Sequence, residues 1–263
     1  MYSFDYQRPA NATAAAAAFA GDARYLAGGQ SLVQAMKLRL SQSERLIDLG
    51  GAADLSGISV EGNTVKVGAT TRHAEVAASA TVLKAIPALA ELAGGIGDQM
   101  VRNMGTLGGS IANADPAACY PAAVLGLGAT VHTNRRTIAA DNYFTGMFET
   151  ALQAGELITA VSFPVPTRAA YIKFKQPASR FALIGVFVAQ TDAGVRVAVT
   201  GGGNGVFRHK GLEDALGKSF TPEAAAGVAT DPTELNGDLH GSAAYRVHLV
   251  GVMAQRAVAK ALA

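Results

Sequence analysis

The sequence predicts an α+β chain in three successive parts: a small β-α-β unit, a larger mixed subdomain, and a smaller C-terminal α/β domain of sheet plus helices. Three observations carry that expectation. Short apolar runs alternate with alanine-rich stretches through the first 56 residues, a strictly alternating hairpin opens at Ile58, and Pro164 and Pro166 punctuate the chain ahead of a strand-rich segment. The expected division is 1–166, with subdomains of about 1–56 and 57–166, followed by 167–263. At 263 residues the chain is long enough for two compact domains with separate cores.

Residues 4–8 read as a short strand, and Asn11 as the N-cap of an alanine-rich helix that Gly21 ends. Ala23–Leu26 reads as a buried strand, residues 27–30 ("AGGQ") as a turn, 31–40 as a short helix or irregular turn, and 45–49 as the second strand of the unit. "ISV" and "TVKVGA" then flank a turn at Glu61-Gly62-Asn63. Thr71 is expected to cap a helix reaching Ser79, with a further helix over 82–92 in which Pro87 stands near a turn start. The stretch "GGIGDQMVRNMGTLGGSIANADPAACYPAA" reads as largely irregular, which inside a compact domain points to function. A helix over 116–127, a hairpin in "ATVHTNRRTIAA" and a closing strand in "ELITAVSFPVP" complete the second part. Beyond it, "AAYIKFKQ", "FALIGVFVAQT" and "VRVAVTG" read as strands, the second open to being partly helical. Residues 210–216, 222–229 and 242–262 read as helices.

Composition narrows the function classes. Hydrophobic residues make up 49% and charged residues 16%, and the 22 basic and 20 acidic residues are intermixed, leaving no footprint for nucleic acid. The longest apolar runs, 14–19 and 121–131, fall short of the ~20 residues a membrane span needs. Residues 1–6 lack the basic start and apolar core of a signal peptide, so a cytoplasmic location is expected. The single cysteine, Cys119, excludes an internal disulfide and an iron–sulfur cluster held by four thiolates of this chain. The five histidines show no ligand spacing, and no metal site is expected.

Two glycine runs carry the chemistry: "AGGQSL" from Ala27 to Leu32 and "TLGGS" from Thr106 to Ser110. A phosphate can be held without cationic side chains where several backbone N–H groups converge on it, and glycine is needed where a Cβ would block the approach. Each run carries a hydroxyl residue just after its glycines, Ser31 and Ser110, and hydrogen bonds to a charged oxygen contribute roughly 1.5–3 kcal/mol each. Taken singly, either pair also reads as a tight turn. The rival nucleotide motifs are missing: there is no GxxxxGK(S/T), no GxGxxG between strand and helix, and no GxSxG. "GGGNG" at 201–205 lacks the dinucleotide context.

With both runs in order, the chain resembles the FAD-binding medium subunit of molybdenum hydroxylases, the family of carbon monoxide dehydrogenase and xanthine dehydrogenase. "YLAGGQSLVQAMKLRL" is similar to that family's first flavin loop and "MGTLGGSIANADPAACYPAA" to its second. "FDYQRPA", "YIKFKQPASRFALIGV" and "HGSAAYRVHLVGVMAQRAV" extend the resemblance over the full length. It implies a two-subdomain FAD-binding domain of the p-cresol methylhydroxylase type, with FAD between the subdomains.

By that resemblance Ala27, Gly28, Gly29, Gln30 and Ser31 surround the diphosphate, flanked by Leu26 and Leu32. Thr106, Gly108, Gly109 and Ser110 approach from the other side, and Asn113 sits near ribityl or diphosphate oxygens. Leu157 and Ile158 match apolar residues near the adenine or ribose end, Lys175 a lysine near the flavin ring, and Phe181 an aromatic position close to it. Asp115 reads as a ribose ligand or a helix cap, and Cys119 stands where the family usually has an aspartate near the ribityl chain. Each has a plainer reading: Leu157, Ile158 and Phe181 as core, Lys175 as a solvated strand face, Cys119 as a small apolar residue.

The resemblance implies an electron-transfer role with no catalytic side chain. Molybdenum cofactor is expected on a large partner subunit and 2Fe–2S clusters on a small one, in a dimer of heterotrimers. A stand-alone flavin reductase or oxidase and a non-catalytic flavin-binding module are the alternatives.

Overall fold

Asn11 starts the first helix as its residue type predicts: its side chain accepts from Ala14 N at 2.8 Å, satisfying a donor that the first turn leaves free. The computed structural model describes residues 1–263. Its first unit holds β1 (Asp5–Gln7), α1 (Ala12–Ala17), β2 (Ala23–Leu26), α2 (Leu32–Lys37) and β3 (Arg45–Asp48). β3 pairs parallel to both β1 and β2, so β2-α2-β3 is the expected β-α-β unit. Its small core gathers Ala15, Ile47, Leu49, Leu55 and Leu157.

The second unit is a five-stranded sheet with helices on one side. It comprises β4 (Ile58–Glu61), β5 (Thr64–Gly68), α3 (His73–Ala78), α4 (Ala80–Ala85), α5 (Pro87–Gly94), α6 (Gln99–Met104), α7 (Leu107–Asn113), α8 (Tyr120–Gly126), β6 (Thr130–Thr133), β7 (Thr137–Ala139), the short pair β8 (Phe144–Gly146) and β9 (Glu149–Thr150), and β10 (Ile158–Pro164). The strand order β4-β5-β10-β6-β7 makes the expected closing strand the central one. Val67, Leu89, Leu107, Ile111, Val124 and Phe163 are among its core residues. Leu157 belongs to the first core and Ile158 to this one, so adjacent residues carry the chain across the seam.

Four expectations are corrected here. Thr71 is not the cap of α3; its hydroxyl bonds Gly57, and Arg72 holds the cap position, with Glu75 accepting from Arg72 N at 2.7 Å. The helix expected over 82–92 is two helices, because Pro87 has no N–H to continue a ladder and instead starts α5 at its first position. The stretch expected to be irregular contains α6 and α7, capped by Asp98 and Thr106. The helix expected from residue 116 starts at Tyr120, since Asp115 folds the preceding residues into a turn by accepting from Ala117 N at 2.9 Å.

The last unit is a meander of β11 (Arg168–Lys175), β12 (Ala182–Thr191), β13 (Gly194–Thr200) and the short β14 (Phe207–Arg208), followed by α9 (Lys210–Lys218), α10 (Pro222–Ala225) and α11 (Ala243–Leu262). β12 is a strand throughout, and its apolar run is continuous because both faces are covered. Phe187 and Ala189 pack into the second core, whereas Ile184, Val186 and Val188 pack against α11 residues such as Val250, Met253 and Ala257. No helix is long and apolar enough to cross a membrane.

Candidate functional site

β2 delivers the chain into the first glycine run, and the N–H groups of Gly28, Gly29, Gln30 and Ser31 donate to no group of the protein. Gly29 makes the turn possible with φ +69°, a left-handed conformation that a β-branched residue resists. The Gln34 carboxamide, oriented with its nitrogen toward the run, donates to Gly29 O at 2.7 Å and Gln30 O at 3.2 Å. Those bonds fix the carbonyls on the α2 side and leave the N–H groups facing away from it. The Ser31 hydroxyl makes no capping bond to α2 and is exposed. Four successive free donors and a hydroxyl form an anion cradle that a phosphate fits.

The second glycine run meets the first across a narrow seam, by a different logic. It is the first turn of α7 and not a loop. Its N–H groups already have protein partners: Leu107 donates to Thr71 O at 3.1 Å, Gly108 to Ala69 O at 2.8 Å and Gly109 to Thr106 Oγ1 at 3.1 Å. The glycines serve close approach. A Cβ on Gly108 would stand 2.6 Å from the Ala69 Cβ, and one on Gly109 would stand 3.5 Å from the Ala27 Cβ. Gly28 in turn tolerates no Cβ, because the Met104 carbonyl oxygen would lie 2.0 Å away. Thr106 is spent as a cap, while Ser110 and Asn113, half-buried on the same helix, make no side-chain bond within the protein.

The other expected residues divide. Leu157 lies in the core against which Tyr25 and Ala27 pack, close to the first run, and its N–H and C=O are both bonded by Asn134 at 2.9 Å. Ile158 is core of the second unit. Asp115 lines a cleft of about 310 Å³ together with Ala117, Gln176, Phe181 and Arg246, and burial pushes its carboxyl above the ordinary carboxylate range. Phe181 is 43% exposed. Cys119 is buried, and the Lys173 ammonium donates to its Sγ at 3.3 Å. Lys175 is exposed without a partner. The segment carrying Asp115 and Cys119 is anchored from the C-terminal unit: Thr200 Oγ1 stands 2.8 Å from both Pro116 O and Ala118 O, and Gly201 N donates to Pro116 O at 2.8 Å.

A fully buried carboxylate sits beside Leu157. Arg136 Nε meets Glu156 Oε1 at 2.9 Å, and Gln153 N and Thr133 Oγ1 donate to the same group. The Arg136 hydrogen bond holds the Glu156 carboxyl down to about 2. The opposite case is His73, under Gly105, whose burial holds the imidazole at about 4 and therefore neutral.

Residues 2–166 match the family described as "FAD binding domain in molybdopterin dehydrogenase". The chain belongs to that family. Among its relatives is the carbon monoxide dehydrogenase medium chain of Afipia carboxidovorans, 37% identical over 99% of this chain and 97% of that one. The nicotine 6-hydroxylase medium subunit of Paenarthrobacter nicotinovorans is 35% identical over 91% and 90%. The solved carbon monoxide dehydrogenase of Hydrogenophaga pseudoflava superposes with a TM-score of 0.91 at 36% identity, covering 98% of this chain and 97% of that one. As in other members of the molybdopterin dehydrogenase FAD family, then, this is the FAD-binding subunit of an oxidoreductase.

Two residues of the site were missed by sequence reasoning. Gln34 left only a weak signal, as a polar residue facing back along a helix toward the glycine run four and five positions earlier. Lys173 was masked by alternation: in "YIKFKQ" both lysines read as one solvated strand face, but Lys173 shares with Tyr171 the β11 face that packs on the second core and reaches Gly95, while Lys175 lies past the register shift at the strand end.

Proposed function

We propose that this chain is the FAD-carrying electron-transfer subunit of a molybdenum hydroxylase complex. It takes electrons from iron–sulfur clusters on a small partner subunit and passes them to an external acceptor, while a large partner subunit holds molybdenum and oxidises the substrate. Two such heterotrimers form the assembly. The observation that carries this reading is the cradle of free N–H groups from Gly28 to Ser31, closed by the first turn of α7.

In this reading residues 26–32 enclose the diphosphate, with Thr106, Gly108, Gly109 and Ser110 as the facing wall. Asn113 and Cys119 lie along the ribityl chain, Asp115 at the ribose, Leu157 and Ile158 at the adenine or ribose end, and Lys175 and Phe181 at the ring. FAD supplies the exchange between two-electron and one-electron chemistry. The chain's residues bind it, orient it and shape its surroundings, and none need act as a general acid or base. The proposed division is 1–166 for cofactor binding and 167–263 for bracing the segment over 115–119 and presenting Phe181. A carbon monoxide dehydrogenase medium chain and a nicotine 6-hydroxylase medium subunit stand at nearly equal identity to this chain, so the choice of substrate is assigned to the large partner subunit's pocket.

The test is purification of the intact assembly with analysis of flavin, iron and molybdenum. One FAD per chain, released by acid precipitation, is expected, with both metals on co-purifying chains. A redox-active flavin with no associated iron or molybdenum would favour a stand-alone flavoenzyme, and a chain without flavin would overturn the reading.

A further inference from the structure

Lys173, half-buried on β11, presents its ammonium to three acceptors: Gly95 O at 2.8 Å, Arg180 O at 2.8 Å and Cys119 Sγ at 3.3 Å. Three acceptors account for all three of its protons. None is an ionised carboxylate, and no Asp or Glu oxygen lies within 4 Å of the nitrogen. Two further cations reach the same stretch of backbone. Arg102 donates to Ile96 O and Gly97 O, both at 3.0 Å, and Arg180 to Gly97 O at 3.4 Å, again without a carboxylate partner. Elsewhere the chain neutralises its sheltered arginines: Arg196 by Asp141, Arg208 by Glu213 and Arg246 by Asp238. Three positive side chains at the carbonyls of residues 95–97 therefore leave net charge that carbonyl dipoles offset only in part.

The position of this cluster gives it a role. Arg180 directly precedes Phe181 and adopts φ +62°, unfavourable for a residue with a side chain. Its turn is closed by Gln176 N donating to Phe181 O and Arg180 N donating to Gln176 O, both at 2.9 Å. The bond from Lys173 to Arg180 O ties that turn to the end of α5. Its bond to Cys119 ties in the segment that runs from Asp115. One ammonium thus joins the two segments assigned above to the flavin ring and ribityl chain.

We propose that Lys173 is a positioning residue for the flavin, and that its unneutralised charge, with those of Arg102 and Arg180, tunes the cofactor toward reduction. The inference rests on the assignment of Phe181 and residues 115–119 to the cofactor's surroundings. Reduction adds two electrons, supplied by the partner's iron–sulfur clusters, and one proton from solvent, giving an anionic flavin. A positive charge nearby favours that form and raises the midpoint potential.

The test uses the intact complex and reads the flavin midpoint potential by spectroelectrochemical titration, alongside FAD content. K173M is expected to shift the potential to more negative values, whereas K173R, which keeps the charge, stays near wild type. C119D leaves the ammonium in place but pairs it, and is expected to shift the potential in the same direction as K173M. Wild-type potentials in K173M and C119D at full FAD content overturn the proposal. So does a K173R shift as large as that of K173M. Should K173M fail to fold, K173Q, which removes the charge and keeps a hydrogen-bond donor, takes its place. A wild-type complex with no FAD would instead sink the assignment of the site, which the FAD content reports separately.

Discussion

Gly28 lies against Met104 so closely that a Cβ at residue 28 would stand 2.0 Å from the Met104 carbonyl oxygen and 2.7 Å from the Gly105 Cα. The obstacle is backbone, which cannot swing aside as a side chain can. The seam between the two glycine runs is therefore specified by what residue 28 lacks, and Gly28→Ala must push the runs apart. Overpacking of this kind costs roughly 1–3 kcal/mol. We expect a lower melting temperature and a clear loss of FAD per chain, measured by thermal melts and by the ratio of flavin to protein absorbance. A variant with wild-type values on both would show the seam to be pliable.

Gln34 supports the cradle from behind. Gln34→Glu replaces a donor facing the Gly29 and Gln30 carbonyls with a carboxylate that repels them and any bound diphosphate. Losing a hydrogen-bonded support of roughly 1.5–3 kcal/mol corresponds to about 10- to 100-fold weaker FAD binding. The check is reconstitution of the apoprotein followed by flavin fluorescence. Because Gln34 is exposed, far-UV circular dichroism should be unchanged. Unaltered affinity would mean that the run holds its shape without this side chain.

How much of this was legible depended on whether the signal was local. Asn11, the hairpin turn at Gly62 and the alternation of β5 each act within a few residues, and the structure bears them out. The first glycine run was also local, since Gly29 needs its positive φ whatever surrounds it. The second was not. Gly108 and Gly109 answer to Ala69 and Ala27, far away in sequence, so their pattern suggested a loop where tertiary contact had selected small residues for a helix. The inward position of Lys173 was hidden for the same reason, because it follows from the packing of the Tyr171 face of β11 on the second core.

Acid should weaken the seam between the first two units through Glu156. Its folded-state carboxyl sits at about 2 against an unfolded value of 4.5, so the pair with Arg136 contributes fully above pH 4.5. That contribution is lost as pH falls from 4.5 toward 2. The shift amounts to about 2–3 kcal/mol after allowing for the exposure of Arg136. Urea unfolding of wild type and Glu156→Gln at pH 7, 4.5 and 3 checks this. The wild type should lose stability over that range, and the Gln variant, already weakened at pH 7, should lose less of it. Parallel curves for the two proteins would assign the acid limb to other groups.

A second acid limb lies higher, in His73. Its imidazole is held neutral at about 4 by burial, with the Arg102 charge acting in the same direction, against 6.5 when unfolded. The unfolded chain therefore binds a proton that the folded chain refuses. Stability is at its full value above pH 6.5 and falls as pH drops from 6.5 toward 4. The location couples this to the cofactor. His73 N donates to Gly105 O at 2.9 Å, its ring packs beneath Gly105 at 5.3 Å from the Tyr120 ring, and Gly105 is part of the wall that Gly28 touches. Charging the imidazole in that apolar setting would favour moving it outward, and Gly105 with it. FAD retention is therefore expected to decline between pH 6.5 and 4, before the Glu156 limb contributes much. His73→Leu, which cannot charge, should hold its flavin flat across that window. Ultrafiltration at stepped pH, with free flavin read in the filtrate, distinguishes the two. Equal release from wild type and His73→Leu would exclude His73 as the cause.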